Sequence, residues 1–306
     1  MAYRITNGAG TSFNTATNWD EGVNTPSIHA STNITPSAGG VFSATFTAPN
    51  TTNACTGVVV PVAAVGTAGS LIATLQEFTG SWADVAGATA TISITSLVAS
   101  THVFFGFTTP YVFTATTAGR YRIKLNTSGA SGTTAIAADS GGANFSYLAF
   151  MDNNVVPTTN DDILCIPKNQ GAGIIMDIDT SPSFGSGTNT SVPAFRSWGN
   201  GILCANGSGI SWQTGTRRTV ALKGTVLIEK NGEFRMGTSS SKISTGTLAR
   251  LQFNQNGVSC NYGFVQLDGG KVYLQGTSLT YKKSSITSGT GTSGSPLVTA
   301  DTTGWA

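Results

Sequence analysis

The chain has 306 residues, with 16 Lys and Arg against 14 Asp and Glu, a formal net charge of +2 and only 10% charged residues. Capture of a nucleic-acid backbone needs clustered basic side chains, and the doublets Arg217-Arg218 and Lys282-Lys283 are too few and too far apart to supply them. With 39% hydrophobic residues, 38 glycines and polar positions filled largely by Thr, Ser and Asn, the composition excludes a disordered chain and suits β-sheets whose outer faces carry hydroxyls and amides.

The start, Met1 to Gly8, lacks the apolar core of a signal peptide, and nowhere do about 18 apolar residues run together as a membrane span requires. Synthesis in a cytosol, without export or a membrane span, is the expectation. Residues 1–40 read as an extended attachment segment, polar and broken by Gly and Pro around Gly22 to Pro26.

From Val41 to Met151 come eight strand-length runs separated by turn residues: Val41–Phe46, Gly57–Val65, Leu71–Phe78, Thr89–Leu97, His102–Phe107, Tyr111–Thr116, Arg120–Asn126 and Phe145–Met151. Tyr121 to Leu125 alternates apolar and polar residues, as a half-buried antiparallel strand does. This spacing predicts a β-sandwich over residues 41–154. Val103 to Leu125 resembles the edge of the jelly-roll modules of carbohydrate-binding and phage fibre proteins, with a Pro-led strand followed by a Gly-turn strand.

After Pro157 the runs shorten and Gly recurs between them: Ile163–Ile166, Gly173–Ile178, Gly201–Cys204, Val220–Leu222, Val226–Ile228, Phe234–Met236, Leu251–Phe253, Val265–Leu267 and Val272–Leu274. Gly224–Thr238 and Gly263–Thr277 are similar to one another at an offset of about 39 residues. In each, two apolar residues precede a Gly turn and two follow it, the pattern of a β-solenoid that stacks alternate side chains and turns on glycine. A pair of ordinary hairpins has the same pattern. No window shows helical periodicity, so the expected fold class is all-β: an N-terminal jelly-roll-like β-sandwich followed by a β-solenoid or β-helix-like domain over residues 155–306.

That second half resembles the eight-glycine β-helix domain of extracellular glycan-handling proteins and of some phage proteins. The matching pieces are Asp162–Pro167, Gly224–Glu229, Gly232–Gly237 and Asp301–Trp305. In the family the closing Trp is followed by a Gly-Asp pair and further strands, whereas Ala306 follows here. The resemblance implies either a minimal module or the front part of a longer relative.

β-Helix folds often carry paired carboxylates for glycoside chemistry, and the close pairs are Asp20-Glu21, Asp161-Asp162 and Asp177 with Asp179. On a strand, Asp177 and Asp179 share a side about 7 Å apart, a spacing compatible with hydrolysis, but strand-end solvation or a calcium contact is the plainer reading. His29 and His102 read as hydrogen-bonding residues, and no Gly-x-Ser-x-Gly elbow is present. Cys55, Cys165, Cys204 and Cys260 show no metal-site spacing. Cys165 and Cys204 each follow Ile-Leu, a context for buried free thiols. No catalytic residue, cofactor or metal is expected.

The tryptophans Trp19, Trp82, Trp198, Trp212 and Trp305 all lie in Gly-rich settings, where they could seal a partner contact or stack on a glycan. An extracellular-style surface on a chain without an export signal is what a virion protein released by lysis shows. The expectation is a bacteriophage structural protein of the tail-fibre or tail-spike kind, trimeric, partnered by other virion proteins and involved in host attachment. The alternative is a glycan-binding adhesin or capsid-decorating protein that recognises a cell-surface glycan without catalysis.

Overall fold

The computed structural model describes residues 3–6, 12–22, 32–138, 143–145, 147–158, 161–165, 174–177, 180–184, 201–212, 214–222, 224–237, 240, 242–244, 249–253, 263–266, 269–276, 286–288 and 298–299. Among them the fold is all-β. The helical pieces are single 3-10 turns at Ala16–Asn18 and Ile94–Ser96, and no helix is long and apolar enough to cross a membrane.

Residues 33 to 151 build two facing sheets. One contains Asn33–Ile34, Ala135–Ala137, Ala54–Ala64, Thr101–Val112 and Leu148–Met151. The other orders Val41–Phe42, Tyr121–Ser131, Ala68–Phe78 and Trp82–Ser93 side by side, all antiparallel. Alternation decides which residues meet between them: Leu71, Ala73 and Leu75 from one strand, with Tyr121, Ile123 and Leu125 from its neighbour, point into a core shared with Val58, Val60, Val62 and Phe105.

Several strands differ from the sequence expectation. His102–Phe107 and Tyr111–Thr116 form one strand, Thr101–Val112, that runs through Pro110. Its pairing with Ala54–Ala64 jumps from Gly57↔Gly106 to Cys55↔Tyr111, so the proline lies in a skipped stretch where no ladder donor is needed. The strand expected at Thr89 begins at Trp82, because a register shift between Thr74 and Gln76 lets the strand absorb extra residues and continue to Phe78↔Trp82.

From Asp162 to Leu274 the strand pairing is parallel, which separates it from the hairpin alternative, and only Ile286–Ser288 and Val298–Thr299, among the described strands beyond it, pair antiparallel. Asp162–Cys165, Gly201–Cys204, Thr225–Ile228 and Gly263–Gln266 lie in sequence order in one ladder. Ile174–Met176, Gly209–Trp212, Glu233–Met236 and Lys271–Leu274 form a second, and Thr180–Phe184, Arg218–Leu222 and Ala249–Phe253 a third. Thr225 sits beside Gly263 and Glu233 beside Lys271. One offset therefore serves both repeats, and it is one residue shorter than the alignment of the two similar stretches implied.

The first ladder is apolar at successive positions because both of its faces are covered. Ile163, Ile202 and Val226, with Cys165, Cys204 and Ile228, face a core shared with Ile174, Ile210, Trp212, Val220 and Phe234. Leu164, Leu203 and Leu227 face the other way, onto Val59 and Phe150 of the two-sheet part. Each fully buried side chain of this size contributes roughly 1.5–3 kcal/mol. Gly201 permits the close stacking: its φ is +122°, and a Cβ there would lie 2.5 Å from the Thr225 carbonyl oxygen.

Within residues 1–40, the described segments are paired inside the chain. Tyr3–Thr6 runs parallel beside Asp162–Cys165 and heads the first ladder, and Trp19–Gly22 folds back antiparallel on it. Trp19–Gly22 also pairs with Leu148–Met151. The N-terminal hairpin thereby joins the ladder and the two-sheet part into one 11-stranded sheet.

Candidate functional site

The carboxylate pairs singled out from sequence lie in or near this joint, and most are engaged structurally. Arg4 is nearly buried, with Nε 3.3 Å from Asp161 and Nη1 3.4 Å from Glu21. Asp161 also accepts from the Thr158 N–H and hydroxyl, Asp20 accepts from Thr56 at 2.9 Å, and Asp162 accepts the Gly201 N–H at 2.8 Å. Asp177 accepts from Ser12 Oγ and the Asn14 N–H; Asp179 lies outside the described residues, as do His29 and Cys260. Among the described residues no three His, Cys, Asp or Glu side chains are grouped to hold a metal ion.

A second bridge across the joint is the fully buried Glu229, which follows Thr225–Ile228. It accepts the His102 backbone N–H at 2.9 Å, and its Oε1 lies 2.5 Å from His102 Nδ1. Nearby, Cys165 and Cys204 are adjacent in the ladder and are buried thiols outside any disulfide, and Cys55 is a buried thiol as well. The hydrogen bond with Cys165 and burial hold the Cys204 thiol well above its ordinary value.

The tryptophans divide sharply. Trp19 and Trp212 are core residues, packed edge-on against Phe13 and tilted against Phe234 respectively, so neither ring offers a surface to a sugar. Trp198 and Trp305 lie outside the described residues. Among the described tryptophans, Trp82 alone is half-buried on an outer sheet face.

That face belongs to the four-stranded sheet. Because Tyr121, Ile123 and Leu125 point inward, Arg122 and Lys124 point outward, beside Phe42, Gln76, Phe78, Trp82 and Asp84 of the neighbouring strands. The Arg122 guanidinium carbon lies 3.8 Å from the Phe42 ring centre and 4.2 Å from that of Trp82. Its Nε donates to Gln76 Oε1 at 2.7 Å, Gln76 Nε2 donates to Asp84 at 2.6 Å, and Lys124 Nζ pairs with Asp84 at 3.0 Å. Burial raises the Asp84 carboxyl, but the Gln76 and Lys124 hydrogen bonds outweigh it and hold Asp84 below its ordinary value. Phe78, 43% exposed, stands 5.3 Å from Trp82 between ring centres.

At the end of the interior strand Ala68–Phe78, Glu77 gathers Thr114 at 2.5 Å, Arg120 at 2.9 Å and Tyr111 at 3.0 Å. Sequence reasoning found Trp82 but not Arg122, Phe42, Phe78, Asp84 or Lys124. The alternation from Tyr121 to Leu125 marks Arg122 as outward-facing; only the strand register shows what stands beside it.

No family model matches the chain, and neither a curated protein nor a solved structure is similar to it.

Proposed function

We propose that this chain is a structural protein of a bacteriophage virion, of the tail-fibre or tail-spike kind or its particle-anchoring part, acting in host attachment without catalysis of its own. In this reading the two facing sheets are a jelly-roll-like sandwich, and the three parallel ladders are the faces of a β-solenoid that follows it. The protein is made in the host cytoplasm and assembles with other virion proteins.

The observation that carries the reading is the 11-stranded sheet, in which the N-terminal hairpin pairs with both parts of the fold. A projecting particle component has to transmit force between its ends, and a continuous backbone ladder does so without a flexible linker. Trimerisation agrees with the exposure of Val272 and Leu274 on Lys271–Leu274, the end strand of the second ladder, where neighbouring chains can cover apolar surface.

The test is co-sedimentation of the protein with purified particles, together with the mass of the full chain by light scattering. Stoichiometric recovery with particles and a trimeric mass support the reading. A soluble monomer absent from particles overturns it and favours the adhesin alternative, to which the aromatic residues of the outer sheet face lend support.

A further inference from the structure

We infer that the outer face around Arg122 is a binding site for a carboxylated glycan. This deepens the attachment function proposed above and rests on it for its biological setting, though the chemistry is independent. Arg122 is held from three sides: Phe42 and Trp82 stack on its guanidinium and Gln76 fixes its Nε. The N–H groups of Nη1 and Nη2 have no acceptor among the described residues. A guanidinium fixed in this way presents a pre-ordered fork for a carboxylate, which it can bind through two parallel hydrogen bonds.

The local charge suits an anion. Asp84 takes its hydrogen bonds from Gln76 and Lys124 and acts on Arg122 only across the Gln76 amide, so the guanidinium is left without a direct carboxylate partner among the described residues. Its stacking between two rings also keeps it from folding onto Asp84. Burial lowers its own pKa from the usual arginine value, a sign that the cation gives up hydration in this position. Phe78 and Trp82 beside it supply ring surface for the apolar face of a sugar. An acidic peptide needs only the charge, whereas this site adds an aromatic platform on a sheet face that also carries hydroxyls, with Thr74 and Thr89 hydrogen-bonded across the same strands.

The experiment is calorimetric titration of the full chain with oligogalacturonate, hyaluronan oligosaccharide and oligosialic acid, against a neutral galactan oligomer of matched length. At least one carboxylated oligomer is expected to bind roughly tenfold or more tighter than the neutral one, the margin a charge-assisted pair supplies. Arg122→Gln should abolish that margin, and Arg122→Lys should restore only part of it. Because Arg122 packs on two rings, Phe78→Ala is the companion variant: its exposed ring can be removed without opening the core, and binding should weaken with the melting temperature unchanged. Absence of binding by all three acidic oligomers, or equal binding by Arg122→Gln and the parent, overturns the proposal. Particles that carry a protein without glycan binding defeat this inference alone; glycan binding by a protein absent from particles defeats the virion reading alone.

Discussion

Glu229 receives the backbone N–H and approaches the ring nitrogen of His102, a residue 127 positions earlier in the chain. The carboxylate is fully buried and the imidazole nearly so, and they belong to different parts of the fold. Glu229→Ala deprives the His102 N–H of its carboxylate and is expected to destabilise the protein by about 3 kcal/mol. Guanidinium unfolding of the single variants and of Glu229→Ala with His102→Ala checks this. A coupling above about 1 kcal/mol places the interaction between the two side chains.

Gly201→Ala tests the tight stacking of the first ladder. Its positive φ and the nearby Thr225 carbonyl leave no room for a methyl group, and the expected cost is about 2–4 kcal/mol. Gly215, whose added Cβ would meet nothing, is the control, and Gly215→Ala should leave the unfolding midpoint in place.

Glu77 predicts an acid-dependent loss of stability. Burial raises its carboxyl, but hydrogen bonds from Thr114, Arg120 and Tyr111 outweigh it, leaving the carboxyl below its ordinary value of 4.5. A carboxyl depressed in the fold contributes stability above its unfolded value and loses it as pH falls through the folded one. Glu77→Gln should therefore be less stable than the parent near neutral pH, and the gap should close as pH falls below the ordinary value. Thermal melts across that range read the difference directly.

The thiols offer a simple probe of packing. Cys55, Cys165 and Cys204 are buried thiols, and Cys204 is additionally held in its unreactive form by Cys165 and by burial. Titration with a chromogenic disulfide reagent should find these three unreactive in the native protein and reactive in denaturant. Rapid labelling of Cys204 in the native state would contradict the closed core described above.

The sequence carried much of the first ladder openly. Ile163-Leu164-Cys165, Ile202-Leu203-Cys204 and Val226-Leu227-Ile228 are apolar without alternation, the mark of strands covered on both faces. Their parallel pairing was not legible, because a short apolar run looks the same in either direction. Tyr3–Thr6 was missed for a different reason: its polar residues are buried by partners distant in sequence, as Arg4 is by Asp161, and no local pattern records that. Trp212 and Trp82 look alike as Gly-flanked tryptophans, yet one fills a core and the other stacks on Arg122. Strand register, set by tertiary pairing, makes the difference.

The partner of Tyr3–Thr6 in the parallel ladder begins at Asp162. During synthesis at about 5–20 residues per second, the first strand leaves the ribosome on the order of ten to thirty seconds before that partner exists. The two facing sheets, complete by Met151, precede that partner in the chain and bring Leu148–Met151 beside Trp19–Gly22. The hairpin then offers Tyr3–Thr6 as the strand on which Asp162–Cys165, and after it the rest of the first ladder, can be laid down in chain order.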